Sequence, residues 1–309
     1  MNCKYCQSED VIKYGTYKGI QRYFCQKCNR KFVSGDTIPK MQNSTKVIAD
    51  SLNMHYEGMS LNEIRRNFIQ QDSNYVSKVT PYNWEKRFTS LAQTEASKYH
   101  PNVGEVWQAD ETVIHNNWGR KKKRLWLIDI IDRDTRFLLA TKLSLSRNKK
   151  DIALAMKEAK DKAGKSPKRI LTDGWVAYPD AIELVFGANT KHVQTTPFVD
   201  KDMSTNIVER VQGTLKERTK VMRGLKTLES MRAFLKGWAI HYNYFRPHLS
   251  LNDRTPAQVA GINFPYANWK ELIEKQPYSV TARIPVSPIQ PKITASSGIR
   301  ITPRTPRLN

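Results

Sequence analysis

Apolar positions in this chain follow two periods, and the change from one to the other marks its elements. Glu105 to Ile114 alternates as a strand, and Leu125 to Ile131 is a second apolar run. A third, Arg136 to Thr141, is entered from a turn at Asp132 to Thr135. Asn116 to Gly119 followed by Arg120 to Arg124 predicts a hairpin with a basic tip. Asn148 to Ala163 then takes the helical period, carrying Ile152, Leu154, Ala155 and Met156 on its apolar positions. A fourth strand, Arg169 to Leu171, ends in a turn at Gly174. A short helix covers Asp180 to Phe186, and His192 to Gln194 is a fifth strand.

A further helix surrounds Glu209. On its wheel Ile207, Val208, Val211 and Leu215 fall on one side, with Thr205, Glu209, Gln212 and Lys216 opposite, which turns that polar set away from the core. Thr227 to Phe245 carries a long apolar stripe through Leu228, Met231, Phe234, Leu235, Trp238 and Tyr242, and Arg246-Pro247-His248 stops it. Three antiparallel strands, then helix, strand, helix, strand, helix, is an α/β layered pattern. It is the order of a ribonuclease-H-like domain, here over residues 103–262.

Residues 43–99 predict three helices. Ser44 caps the first, with Val47, Ile48 and Leu52 inward, and Ser60 to Glu63 is a capping box for the second, which carries Ile64 and Phe68. Thr80-Pro81 predicts the third start, with Thr80 as N-cap and Val79 stapled onto Trp84. A third helix that opens with Tyr82 and presents Lys86 and Arg87 suits a helix-turn-helix DNA reader; a small helical packing domain is the alternative.

Charge and cysteines narrow the function. Lys and Arg number 51 against 29 Asp and Glu in 309 residues, a formal charge of +22, and such an excess points to a polyanion such as nucleic acid. Lys121, Lys122, Lys123, Arg124 and Lys216 join Tyr82, Lys86 and Arg87 as candidate DNA contacts. No apolar run has the length of a membrane span and no signal-peptide core is found, which predicts a cytoplasmic, nucleoid-associated protein. The four cysteines form Cys3-x-x-Cys6 and Cys25-x-x-Cys28, 18 residues apart, the spacing of a structural zinc site. Strand signals between the pairs complete the layout of a zinc ribbon over residues 1–40; two disulfides or a redox pair are the alternatives. The ribbon suits either DNA or a protein as its partner. Residues 277–309 are Pro-rich, with five Arg or Lys and no acid, a composition that predicts a disordered basic tail.

Acidic residues supply the candidate chemistry. Asp110 lies in the first strand of the α/β region, Asp173 just beyond the fourth, and Glu209 on the next long helix, with 35 residues between it and Asp173. Three such carboxylates converging on divalent cations suit phosphoryl transfer, because hard Mg2+ prefers oxygen ligands. Each has a structural alternative. Asp110 sits beside Glu111, and strand alternation lets only one face the site. Asp173 serves equally as a cap before Gly174, and Glu209 equally closes a capping box with Asn206.

Together these residues resemble the DDE transposase/integrase superfamily, in particular prokaryotic insertion-sequence transposases. The resemblance rests on Trp107-Gln108-Ala109-Asp110-Glu111-Thr112, Leu171-Thr172-Asp173-Gly174 and Asn206-Ile207-Val208-Glu209. It rests also on His241-Tyr242-Asn243-Tyr244-Phe245-Arg246-Pro247-His248 and on Arg254-Thr255-Pro256-Ala257. It implies that Asp110, Asp173 and Glu209 bind two Mg2+ or Mn2+ ions per site. It also implies 3′-end hydrolysis and strand transfer on double-stranded DNA, covering terminal inverted repeats and target, by a homo-oligomer of at least two chains. Relatives with a His three residues after the Glu differ from this chain, which has Gln212 there.

Overall fold

The structure, a computed structural model, describes residues 1–17, 19–33, 37–38, 41, 43–71, 77–116, 123–195, 204–222 and 227–275. The basic hairpin tip at 117–122 and the tail at 277–309 lie outside them.

The chain opens with three strands, β1 (Val11–Tyr17), β2 (Ile20–Cys25) and β3 (Arg30–Val33), paired antiparallel in that order. Among the described residues, only Cys3, Cys25 and Phe32 are buried in their core. So small a core calls for a cross-link or a metal. Three helices follow, α1 (Thr45–Tyr56), α2 (Leu61–Gln70) and α3 (Val79–Ala96). Ser44 caps α1, and Ser60 with Glu63 forms the expected reciprocal box on α2. The start of α3 differs from expectation. It begins at Val79 with Lys78 before it, Thr80 and Pro81 lie inside the first turn, and Val79 is exposed rather than stapled to Trp84. Pro81 is tolerated there because first-turn N–H groups have no intrahelical acceptor. Thr80 instead meets the Ser77 hydroxyl at 3.2 Å.

The α/β region holds β4 (Val106–Asn116), β5 (Lys123–Asp132), β6 (Leu138–Ser144), α4 (Lys149–Ala163), β7 (Arg169–Thr172), α5 (Ala177–Phe186) and β8 (Lys191–Gln194). After these come α6 (Asn206–Val221), α7 (Leu228–Ile240), α8 (Pro256–Val259) and α9 (Trp269–Lys275). The sheet order is β6-β5-β4-β7-β8, with β4, β5 and β6 antiparallel and β7 and β8 parallel to β4. This is the ribonuclease-H-like arrangement. It puts β4 at the centre, where Trp107 and Ala109 are fully buried and Trp107 meets Phe186 of α5 edge-on. Leu154, expected inward on α4, is 43% exposed; the buried stripe is Ile152, Ala155, Met156 and Ala159.

The long helix expected to run to Phe245 ends at Ile240 and continues as one π turn, His241–Phe245, with all five residues buried. Within it Asn243 accepts from the Leu138 N–H at 2.8 Å and donates to the Leu138 carbonyl at 2.9 Å, so its amide pairs with β6 as a strand would.

One apolar cluster runs without a break from α1–α3 into the sheet and its helices. Tyr56 sits where they meet, stacked on His241 and Trp269, with its hydroxyl 2.6 Å from that of Thr89. Beside it Glu57 receives Arg218 at 2.6 Å, His241 at 3.0 Å and Arg246 at 3.3 Å. The His241 tautomer follows from Trp269, whose indole N–H donates to Nδ1 at 3.2 Å and leaves Nε2–H to donate to Glu57. That bond, then Arg218, holds the Glu57 carboxyl down to about 2.

Gly237 of α7 is where α7 meets Tyr56. A Cβ there would overlap the Tyr56 hydroxyl and ring and crowd Thr89. Alanine normally stabilises a helix interior by about 1 kcal/mol over glycine. Here overpacking against a fully buried, hydrogen-bonded ring wins, at about 1–3 kcal/mol. Gly237→Ala is therefore expected to lower the unfolding midpoint in urea, and adding Tyr56→Phe should recover part of the loss. A more stable single variant would contradict this packing.

Candidate active site

β4 and β7 place the two aspartates side by side. Their parallel register pairs Gln108 with Leu171, so two residues on Asp110 comes level with Asp173, just past the end of β7. Carboxylate oxygens of Asp110, Glu111 and Asp173 all lie within 4.8 Å of one another. Strand alternation allowed only one of Asp110 and Glu111 to face the site, but both reach it. Asp173 lies beyond the last strand residue and is not confined to one face of the sheet. Glu111 is nevertheless committed elsewhere: Arg147 donates to Oε1 at 3.0 Å and Tyr178 to Oε2 at 2.7 Å. Arg147 is itself sandwiched between the rings of Trp126 and Trp175, at 4.4 and 3.5 Å from their centroids. Sequence reading missed the Arg147–Glu111–Tyr178 set, because only the fold brings its members together. Asp173 also makes the capping contact foreseen for it, accepting from the Trp175 N–H at 3.1 Å.

Glu209 lies in the first turn of α6, exposed, and outside that carboxylate cluster. Its Oε1 accepts from the Thr205 hydroxyl at 2.7 Å. The capping box with Asn206 is absent, since Thr205 precedes the helix and makes no side-chain cap. Glu209 is still close enough for its charge to act on Asp110. The polar face of α6 departs from the wheel at two places, for Thr205 and Gln212 are buried. Gln212 has a polar neighbour inside, the fully buried Asp129 of β5, and an apolar pattern cannot register such a partner.

Burial, then the charges of Asp173 and Glu111, pushes the Asp110 carboxyl up to about 7. Asp129 is pushed up to about 7 as well, by burial, with Thr141, Gln212 and Lys216 opposing. A carboxyl that resists ionising beside two others fits a place for a cation, and an all-oxygen donor set fits a hard divalent one. Asp110, Glu111 and Asp173 form the cluster that could hold one, and Glu209 lies outside it.

The raised pKa sets the sign of a pH dependence. At Asp110 the metal-free folded protein keeps a proton that the unfolded chain loses between about pH 4 and 7, so the contribution of this group to stability falls as pH rises through that window. Asp110→Asn should remove the Asp110 share, on the order of a few kcal/mol, and make metal-free protein more stable at pH 7.5. Asp129 keeps its own share in that variant. A pH–stability profile in chelator unchanged by Asp110→Asn would contradict the assignment.

The candidate DNA contacts are distributed. Tyr82, Lys86 and Arg87 lie on α3, where Lys86 stands over the Tyr82 ring and 3.7 Å from Glu229 of α7. Arg124 is exposed near the start of β5, and Lys216 is exposed on α6. Lys121 and Lys122 lie outside the described residues, as does the side chain of Lys123. His192, His241 and His248 bond to Thr172, Glu57 and the Tyr242 carbonyl, and so have structural partners.

At the other end, the Sγ atoms of all four cysteines lie within 4.8 Å of one another, with Cys3–Cys28 and Cys6–Cys25 at 3.6 Å, and none is in a disulfide. A tetrahedron of Zn–S bonds of about 2.3 Å has S–S edges of about 3.8 Å, so the set fits zinc. All four cysteines are free thiols in this arrangement.

A family model described as a DDE domain matches residues 104–248. Among solved structures, the HTLV-2 integrase catalytic core domain in complex with magnesium, in its dimeric form, is similar at 20% identity and TM-score 0.38. That match covers 52% of this chain and 97% of the other. The BIV integrase catalytic core domain is similar at 13% identity and TM-score 0.35, covering 51% of this chain and 93% of that one. Among curated proteins nothing matches.

Proposed function

Residues 104–248 form a DDE domain of the transposase and integrase superfamily, and from that premise we propose that the chain is a DNA transposase. It binds the ends of its element, hydrolyses a phosphodiester to free a 3′-OH, and transfers that 3′ end into target DNA. The observation that carries this reading is the meeting of Asp110 and Asp173 in one carboxylate cluster of that domain, with Glu209 on the helix beside them.

Asp110, Asp173 and Glu209 hold divalent cations, Mg2+ or Mn2+, two per site. When bound, these supply the positive charge that stabilises the attacking and leaving oxygens. In the first step a water oxygen forms a bond to phosphorus, and the bond from phosphorus to the 3′ oxygen breaks; that oxygen leaves with a proton. In the second, the freed 3′-OH forms the new bond to a target phosphorus, and the target's own 3′ oxygen leaves. Glu111 keeps its bonds to Arg147 and Tyr178 and fixes the charge around Asp110. Tyr82, Lys86, Arg87, Lys121, Lys122, Lys123, Arg124 and Lys216 contact DNA, chiefly at phosphates. Joining two ends to one target requires at least a dimer. No described helix is long and apolar enough to cross a membrane. The protein's DNA substrate puts its work at the nucleoid, in the cytoplasm of a prokaryotic cell.

The test uses labelled duplexes carrying the element's terminal repeats, a supercoiled target and Mg2+. Nicked ends and end–target joints are expected. Nicks without joints would instead support a ribonuclease-H-like nuclease, and binding without either a non-catalytic DNA-binding protein.

A further inference from the structure

Gln108 stands two residues before Asp110 on the central strand, 2% exposed. Its amide reaches across to the start of α6. Nε2 donates to the Ser204 carbonyl at 2.6 Å, and Oε1 accepts from the N–H groups of Ile207 and Val208, each at 3.1 Å. Those two N–H groups belong to the first turn of the helix and have no acceptor within it. The residue before the helix usually caps them with its own side chain. Thr205 does not, because its hydroxyl is turned to Glu209 at 2.7 Å. The cap comes instead from a strand 99 and 100 residues earlier in sequence.

We propose that Gln108 is a positioning residue for the active site: its side chain fastens the helix that carries Glu209 to the strand that carries Asp110, and so sets where Glu209 stands relative to the two aspartates. The inference rests on the catalytic reading of Glu209 given above. Thr205 takes part, since freeing its hydroxyl from capping lets it hold the Glu209 carboxylate. Glutamine suits the task chemically. One side chain must offer an acceptor to two N–H groups and a donor to a carbonyl, from a fully enclosed position. Glutamate keeps the acceptor, loses the donor and adds a buried charge near Asp110. Methionine keeps the volume and loses all three bonds.

The experiment compares Q108M, Q108E and E209Q with wild type in the full chain. It reads end hydrolysis, binding to the element-end duplex, Mn2+ affinity by calorimetry, and amide exchange at residues 207 and 208. Q108M is expected to hydrolyse ends at least tenfold more slowly, to bind Mn2+ more weakly, and to bind DNA as wild type does. Exchange at 207 and 208 should accelerate while the β4 amides stay protected. In Q108E those two amides should stay protected, because their acceptor remains. If Q108M does not fold, Q108E carries the test, and unprotected amides there overturn the proposal. Wild-type hydrolysis by Q108M beside an inactive E209Q overturns it too, as does lost activity with exchange at 207 and 208 unchanged. An active E209Q refutes the catalytic reading of Glu209 instead, and the exchange data then still decide whether Gln108 is the clamp.

Discussion

Asp110→Asn and Asp173→Asn each reduce end hydrolysis and strand transfer by at least about a thousandfold, with binding to element ends preserved. The size follows from the chemistry. Cation stabilisation of the transition state is worth several kcal/mol, and each 1.4 kcal/mol is about a tenfold change in rate. Asparagine keeps the shape of aspartate but removes the charge that holds a divalent ion. Asp110 lies on β4 and Asp173 just past the end of the adjacent β7, on an exposed position, so neither replacement disturbs the apolar packing behind them. DNA binding is spared because a carboxylate does not attract phosphates; its loss removes a repulsion. Glu209→Gln is expected to have the same outcome, although Glu209 rests on the Thr205 hydroxyl outside the carboxylate cluster. Gel-shift and joining assays on the same preparations separate binding from chemistry, and near-normal joining by the three variants would remove the assignment.

Stripping zinc unfolds the N-terminal sheet and leaves the rest of the chain folded. Among the described residues, the N-terminal sheet and the turn before it bury only Cys3, Cys25 and Phe32 in their core, far too little apolar surface to offset the entropy of ordering them. Structural zinc contributes on the order of 10–16 kcal/mol at neutral pH. The main apolar cluster lies elsewhere, through α1–α3 and the large sheet, and includes none of the four cysteines. A strong chelator, or Cys25→Ser, should therefore open residues 1–33 to protease while residues 43–275 stay resistant. One zinc per chain should appear by elemental analysis. An N-terminal sheet equally resistant with and without chelator would contradict the metal site.

Much of this was legible in the sequence because it is written in periodicity. The strands of the α/β region, their order and the helices between them follow from short apolar runs broken by Gly and Asp turns. Asp110 and Asp173 were legible because one sits on a strand and the other just past the end of a strand that a ribonuclease-H-like order brings beside it. What escaped depends on partners distant in sequence. Gln108 reads as an ordinary strand residue until α6 lies across it. Gln212 reads as a solvent residue until Asp129 is found beneath it. Glu111 was set aside by alternation, a rule about strand faces that a neighbour beyond a strand end does not obey. The start of α3 was placed by its Thr-Pro signal, yet proline is tolerated throughout a first helical turn. The π turn at His241–Phe245 leaves no mark on an apolar stripe, because adding one residue to a helix merely widens the buried face.

The most direct measurement is the location of Mn2+ by anomalous diffraction in crystals of the full chain bound to an element-end duplex. Manganese is expected between the carboxylates of Asp110 and Asp173 with Glu209 in contact, while Glu111 keeps its bonds to Arg147 and Tyr178. Manganese absent from these side chains, or held by Glu111 with Glu209 pointing away, would contradict the assignment of the three acids to one catalytic centre.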